Sequence, residues 1–280
     1  MASSELPRLV TVFAAIGILL IIYYKLIPTT DLTGDIAKAD KVIHQPPEDL
    51  PDILSMNSWE DIKREAMTNK KLKVTDGMID LSGRGTVFRR EVVDTTVDVP
   101  KGVILLLHGM GMNSDDWRML GTLHVMATFG YRMVALDLPG HGKSAKIKDL
   151  PPINLLTEAL KSLRVAKPPG VIIVAPSMAG SFALPLLMAH PEKFAGFVPI
   201  APVGTGRYTA ADYNKVQVPT LIVYGDKDVR LGLESLKHLK LIPKSEVYEM
   251  KNRGHGCYLE DPLPFHRRML EFADKVFAPK

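Results

Sequence analysis

The chain of 280 residues is long enough for one α/β domain of about 200–250 residues with an appended segment. Hydrophobic residues make up 46% and charged residues 24%, which excludes a wholly disordered, collagen-like or coiled-coil protein. The 35 basic and 31 acidic side chains are scattered along the chain, so they do not form the clustered basic surface of a nucleic-acid-binding protein. The single cysteine, Cys257, excludes an internal disulfide and a multi-cysteine zinc site, and we expect no bound metal.

An uncharged apolar run opens the chain. It covers residues 9–24, and it reaches residue 27 if Lys25 extends its ammonium group to the membrane surface, which is long enough to span a bilayer. Bulky residues follow the run where a cleaved signal peptide, the main alternative, would have small ones. We therefore expect an uncleaved anchor over residues 1–27 that enters the lipid bilayer through residues 9–27. More basic residues follow the span than precede it, which predicts a single-pass membrane protein with a cytoplasmic body.

Short apolar runs alternate with helix-length segments from about residue 85 onward. Several runs are apolar at every position, which is typical of strands buried on both faces of a parallel sheet. The alternation predicts an α/β fold with a doubly wound, mostly parallel sheet. The runs are TVFRREVV (86–93), VILLLH (103–108), MVALD (133–137), VIIVA (171–175), FVPIA (197–201), TLIVYG (220–225) and EVYEM (246–250). Helices are predicted over 115–128, 153–163, 178–189, 232–241 and 264–276.

The segment before this alternation has a different composition. Residues 28–80 contain four prolines and dense mixed charge, with a helix predicted over 57–70. We expect a stalk and lead-in there, which leaves residues 81–280 as the folded domain. Only residues 202–219 separate two of the later apolar runs, so the sequence predicts no inserted helical lid.

Polar residues follow four of the apolar runs. In open parallel sheets, ligands bind beyond the carboxyl ends of the strands, so these positions are the first to inspect. They carry HGMGM (108–112), PSMAG (176–180), GDKD (225–228) and NRGHG (252–256). A serine, an aspartate and a histidine therefore occur in this order along one edge of the predicted sheet.

These motifs, with LDLPGHGKS (136–144) and GHGCYLEDP (254–262), resemble the α/β-hydrolase fold, whose catalytic residues follow the order Ser, Asp, His. The resemblance covers roughly residues 85–277. Within that fold, APSMAGSFALP (175–185), GFVPIAP (196–202), VPTLIVYGDKD (218–228), HLKLIP (238–243) and GHGCYLEDP look most like the α/β-hydrolase-domain-containing protein 14 family, which is lid-less and has a membrane-anchored branch. The resemblance implies a serine nucleophile at Ser177, a general base at His255 and an orienting acid at Asp228.

Ser177 lies between an apolar run and a predicted helix, where hydrolases carry the sharp turn known as the nucleophile elbow. Ala175 and Ala179 occupy the positions that are glycine in the usual G-x-S-x-G pattern, and alanine still meets the need for small neighbours. A serine in this position could instead serve only as a helix N-cap. If Ser177 is the nucleophile, we expect the backbone amides of Met110 and Met178 to form the oxyanion hole.

His255 is the preferred base among eight histidines, because it lies in a glycine-bracketed loop after the last strand, from which its ring can reach Ser177. His108 and His141 belong to turns that we expect to be structural, although His108 could line the pocket. The others lie in the stalk, within predicted helices or at a helix end; they are His44, His124, His190, His238 and His266.

Asp226 and Asp228 compete for the role of the acid. Asp228 matches the position that the resemblance implies, where a carboxylate can accept the Nδ1–H of His255. Asp226 is expected to form a turn in which its carboxylate accepts local amides, but the spacing alone does not exclude it as the acid. Cys257 has no separate base partner, so we expect a small buried side chain there rather than a catalytic thiol.

Together these residues predict an acyl-enzyme mechanism on a small acyl ester, thioester or amide. The resemblance adds an acylated lysine as a substrate and allows coenzyme A as an acyl acceptor beside water. The sequence has no phosphate-binding loop that would demand coenzyme A, and no cofactor is required. The alternative is a non-catalytic, membrane-anchored interaction module that retains a hydrolase scaffold. The sequence leaves the oligomeric state open.

Overall fold

An eight-stranded sheet forms the centre of the protein in a computed structural model that describes residues 58–165 and 170–279. The strands occur in the spatial order β1-β2-β4-β3-β5-β6-β7-β8. Their bounds are β1 (Leu72–Asp80), β2 (Thr86–Asp94), β3 (Val103–Leu106), β4 (Arg132–Leu136), β5 (Val171–Pro176), β6 (Phe194–Ile200), β7 (Thr220–Gly225) and β8 (Ser245–Met250).

Helices connect the strands and cover the sheet. They are α1 (Trp59–Thr68), α2 (Ser114–Leu120), α3 (Thr122–Thr128), α4 (Pro152–Ser162), α5 (Gly180–Ala189), α6 (Ala210–Lys215), α7 (Leu231–Leu239), α8 (Cys257–Glu260) and α9 (Pro262–Phe277). Single turns of 3₁₀-helix cover Ser177–Ala179, Pro191–Lys193 and Thr205–Arg207.

Strands β4, β3, β5, β6, β7 and β8 are parallel to one another, and the antiparallel pairs are β1 with β2 and β2 with β4. Strands β5 and β7 are buried at every residue, as their continuously apolar sequences predict. Alternate residues of β5 enter separate cores: Val171 and Ile173 pack on one face, while Ile172 and Val174 pack on the other. This two-sided burial confirms the predicted doubly wound, mostly parallel α/β fold.

The amino-terminal boundary of the sheet differs from the one that the sequence suggested. Strand β1 pairs along its whole length with β2, so the predicted domain start at residue 81 falls inside this hairpin. Strand β1 lacks a continuous apolar run because it is an edge strand with five of its nine residues exposed. The lead-in helix over 57–70 is present as α1, and its Trp59 stacks on the ring of His266.

The predicted anchor over residues 1–27 and the stalk up to residue 57 lie outside the described residues. Within residues 58–165 and 170–279, no helix is both long and apolar enough to cross a bilayer. The anchor and the single-pass membrane location therefore stay predictions.

Two other elements differ from the sequence prediction in detail. The helix expected over 115–128 is two helices, α2 and α3, because Gly121 has a φ of 92° and turns the chain between them. The segment between β6 and β7 contains one 3₁₀ turn and the six-residue helix α6, but no helical lid. The carboxyl edge of the sheet above β5 and β7 is thus bordered by short connections.

Candidate active site

Ser177 forms a sharp turn between β5 and α5. Its φ of 48° is in the left-handed region, which a residue with a side chain adopts only under constraint. The amide of Val203 donates to the Ser177 carbonyl at 2.9 Å, so the loop after β6 supports the turn. A Cβ on Gly180 would overlap Pro202 and Val203, which explains why glycine follows Ala179 at the start of α5. The predicted elbow geometry is therefore present.

The turn after β3 lies beside Ser177. A Cβ built on Gly109 would lie 3.7 Å from the Cβ of Ser177. His108 fixes this turn, because its Nε2 accepts the Leu138 amide at 2.9 Å and its Nδ1–H donates to the Gly109 carbonyl at 2.9 Å. Burial lowers the pKa of His108 to about 4, so the ring is neutral at neutral pH. His108 is fully buried, and its two ring hydrogen bonds give it the structural role that the sequence predicted.

A buried carboxylate holds the next connection at the same edge. Asp137 accepts the amide of Ser114 at 2.6 Å and the amide of Lys143 at 2.7 Å. The hydroxyl of Ser144 donates to the Asp137 carbonyl and accepts the Phe88 amide. These bonds tie the LDLPGHGKS segment to the start of α2 and to β2. The segment is turn structure, as the sequence predicted.

Asp228 and His255 form a hydrogen-bonded pair beyond β7 and β8. The Nδ1–H of His255 donates to Oδ2 of Asp228 at 2.6 Å, and the two side chains are 20% and 8% exposed. Oδ1 of Asp228 accepts the amide of Leu231 at 3.2 Å, which satisfies one free N–H group at the start of α7. The carboxylate is therefore oriented by the helix while it orients the imidazole.

The Oδ1 atom of Asp226 is buried and accepts no hydrogen bond from the described residues, so this oxygen does not bind a local amide. The turn-forming role of Asp226 therefore stays a prediction. The side chain of Asp228 instead accepts the local amide and contacts His255. The structure thus brings Asp228, rather than Asp226, to the histidine.

The loop that carries His255 is held by contacts that sequence reasoning missed. Both carboxylate oxygens of Glu260 lie near the Gly254 amide, at 3.2 and 3.1 Å. Arg253 forms an ion pair with Asp261 at 2.8 Å. A Cβ on Gly225 would overlap the carbonyls of Arg253 and Gly254, so β7 passes close under this loop. In the sequence, the two adjacent acidic residues of GHGCYLEDP, Glu260 and Asp261, could have predicted these contacts.

The remaining candidates lie near the same edge of the sheet. Met110 follows Gly109 and its side chain is 45% exposed, whereas Met178 is half-buried at the elbow. Cys257 is fully buried, and desolvation raises its pKa to about 12, which makes it a packed thiol as predicted. In the described ranges, no group of three His, Cys, Asp or Glu side chains could hold a metal ion.

Solved structures with this architecture are α/β hydrolases. A CIB-like hydrolase from Thermoplasma acidophilum matches with a TM-score of 0.64 and 26% identity, over 72% of this chain and 98% of its own. Carboxylesterase CesB from Bacillus subtilis matches with a TM-score of 0.60 and 16% identity, over 76% and 96%, which supports the fold alone. The serine elbow and the sheet topology therefore define an α/β hydrolase.

Sequence comparison identifies the family of α/β hydrolases to which the chain belongs. Residues 98–209 match the family model described as serine aminopeptidase, S33. The chain is 38% identical to the rat protein named "Putative protein-lysine deacylase ABHD14B", over 73% of this chain and 98% of that protein. It is 42% identical to human ABHD14A, over 69% and 72%. The chain belongs to the ABHD14 family of α/β hydrolases, as its motifs predicted, and it is an enzyme of the serine-hydrolase type.

Substituting Gly225 by alanine tests how the histidine loop is positioned. The added methyl group would displace the carbonyls of Arg253 and Gly254, so we expect the free energy of unfolding to fall by about 1–3 kcal/mol. We also expect loss of the downfield proton NMR signal of the His255–Asp228 hydrogen bond. Gly77→Ala in β1 is the matched control, because a Cβ there meets no atom within 4 Å. A Gly225→Ala protein with an intact signal and unchanged stability would contradict this close approach.

Proposed function

We propose that this protein is a membrane-anchored serine hydrolase or acyltransferase that forms an acyl-enzyme on Ser177. The observation that carries the proposal is the 2.6 Å hydrogen bond from His255 to Asp228 at the sheet edge where Ser177 forms the strained elbow. Because strands β5, β7 and β8 are parallel, their carboxyl ends present all three residues at one edge of the sheet.

The hydrogen bond determines the proton chemistry of the imidazole. With its Nδ1 proton donated to Asp228, His255 carries a lone pair on Nε2 and can act as a general base. In the proposed first step, the Ser177 hydroxyl attacks a carbonyl carbon while Nε2 takes the hydroxyl proton. The imidazolium then gives this proton to the leaving group, and the acyl group stays on Ser177. Asp228 stabilises the charged ring throughout.

The developing oxyanion needs hydrogen-bond donors on the opposite side of the carbonyl. We assign this role to the backbone amides of Met178, directly after the nucleophile, and Met110, directly after Gly109. The proximity of Gly109 to Ser177 supports the second donor. The positive end of helix α5, which begins at Gly180, favours negative charge at the same place.

The chemistry of the relatives suggests the acyl substrate. One relative is named as a protein-lysine deacylase, which supports an acylated lysine side chain as a substrate of this chain too. Cleavage of such an amide transfers the acyl group to Ser177 and releases the lysine amine. Water or a thiol such as coenzyme A would then accept the acyl group, and no further cofactor is needed. The short connection between β6 and β7 favours small acyl groups.

The apolar run over residues 9–27 would hold the enzyme at a lipid bilayer, with the catalytic body on the cytoplasmic side. In this proposal the bilayer determines where the enzyme is located and supplies no catalytic group. All proposed catalytic residues lie beyond residue 100, within the folded body.

Labelling with a fluorophosphonate probe tests the nucleophile. We expect the wild-type protein to be labelled at neutral pH and Ser177→Ala to be unlabelled, because only a serine with a base and an oxyanion hole becomes this reactive. Ser181→Ala is the matched control, since Ser181 lies four residues away and donates to the Met178 carbonyl. His255→Ala should stay folded and lose turnover. Equal labelling of wild type and Ser177→Ala would contradict the assignment.

Two aspartate variants test the acid. In Asp228→Asn an amide group faces His255 and favours the wrong tautomer, so we expect kcat to fall by up to ~10⁴-fold, as in serine proteases. The remaining oxygen can still accept the Leu231 amide, which should preserve the melting temperature. Asp226→Asn should change both quantities little, because its buried Oδ1 accepts no hydrogen bond from the described residues. The reverse pattern would show that the two carboxylates are assigned the wrong way round.

Deleting residues 1–28 tests the anchor. We expect the truncated protein to leave the membrane fraction and to retain the kcat of the full chain, because every proposed catalytic residue lies in the body. Protease treatment of sealed microsomes that contain the full chain measures orientation, and we expect the body to be digested. Protection of the body would overturn the cytoplasmic orientation, and a truncated protein that stays in the membrane fraction would overturn the anchor.

A further inference from the structure

A gap of about the size of a methyl group lies beside the proposed nucleophile. A Cβ built on Gly109 would lie 3.6 Å from the sulfur of Met112 and 3.7 Å from the Cβ of Ser177, both ordinary van der Waals distances. Apart from the chain neighbours of Gly109, no other heavy atom of the described residues lies within 4 Å of that point. Met112 and Ser177 therefore border the same small space.

The side chain of Met112 is held on the far side of this gap. It is 8% exposed, and its sulfur accepts a hydrogen bond from the Tyr258 hydroxyl at 3.6 Å. Tyr258 stacks on Trp117, with ring centroids 5.0 Å apart. The indole N–H of Trp117 donates to the Leu107 carbonyl at 2.8 Å, at the end of β3. The sulfur is thus fixed relative to the sheet that carries the site.

We infer that Met112 is the wall that ends the acyl subsite and restricts the enzyme to short acyl groups. The inference rests on the proposed function, because it requires a carbonyl carbon bonded to Ser177. Of the other substituents on that carbon, the oxyanion faces the proposed amides and the leaving group faces His255. The acyl substituent then points into the gap that Gly109, Met112 and Ser177 border. A methyl group fills it, and a longer chain meets the Met112 thioether.

A chain-length series with one leaving group tests this role. The kcat/KM values for p-nitrophenyl acetate, butyrate and hexanoate are compared in wild type, Met112→Ala and Met112→Leu. We expect the hexanoate-to-acetate ratio to rise by about tenfold or more in Met112→Ala, since added pocket volume admits the longer chain. Met112→Leu is the volume-matched control and should keep the wild-type ratio.

Two further variants test whether the volume beside Ser177 controls the chain-length preference. Met112→Val removes less side-chain volume than Met112→Ala and should give a hexanoate-to-acetate ratio between those of wild type and Met112→Ala. It replaces Met112→Ala in the test if that variant does not fold. Gly109→Ala places a methyl group in the gap itself, so it should lower kcat/KM for acetate as well as for the longer esters. Melting temperatures identify variants whose losses come from unfolding.

Fluorophosphonate labelling of each variant separates this inference from the proposed function. Labelled variants with the same chain-length profile as wild type would overturn the role of Met112 and leave the function of Ser177 standing. A shift in Met112→Leu as large as that in Met112→Ala would also overturn it, because volume would not be the cause. A wild-type protein that is not labelled at Ser177 would overturn the proposed function, and the acyl subsite with it.

Discussion

The left-handed turn at Ser177 is the constraint on which the rest of the site depends. A non-glycine residue in this conformation costs about 1–3 kcal/mol, so the surrounding structure must hold it there. The fully buried strand β5 holds the turn from one side, and the Val203 amide supports its carbonyl from another. Because the loop after β6 packs so closely on the start of α5, Gly180 has no room for a side chain. The turn places Ser177, which is half-buried, at the carboxyl edge of the sheet.

The histidine reaches that edge through a different type of interaction. Its loop follows β8 and is held by the carboxylates of Glu260 and Asp261 and by close contact with Gly225 at the end of β7. Asp228 joins this loop to helix α7, since one of its oxygens accepts a helix amide and the other accepts the His255 proton. The parallel sheet supplies the common edge, and a few charged side chains set the final orientation of the imidazole.

The predictable and unpredictable parts of the structure differ in their physical origin. Central strands such as β5 could be predicted from the sequence because burial on both faces requires an unbroken apolar run. Strand β1 was missed because an edge strand with exposed residues has no such pattern. The elbow at Ser177 followed from a strand, a small-residue turn and a helix in succession. The hydrogen bonding of Asp226 and the position of Met112 depend on loop geometry, which the periodicity of a sequence does not encode.

The central claim is that the acyl group passes through a covalent bond to Ser177. Rapid quenching of wild-type protein mixed with p-nitrophenyl acetate, followed by peptide mass spectrometry, measures this bond directly. We expect an acetyl group on the peptide that contains Ser177 during turnover, and no such adduct in the Ser177→Ala protein. Turnover of the ester with the acetyl group on another residue, or with no adduct at Ser177, would contradict the claim.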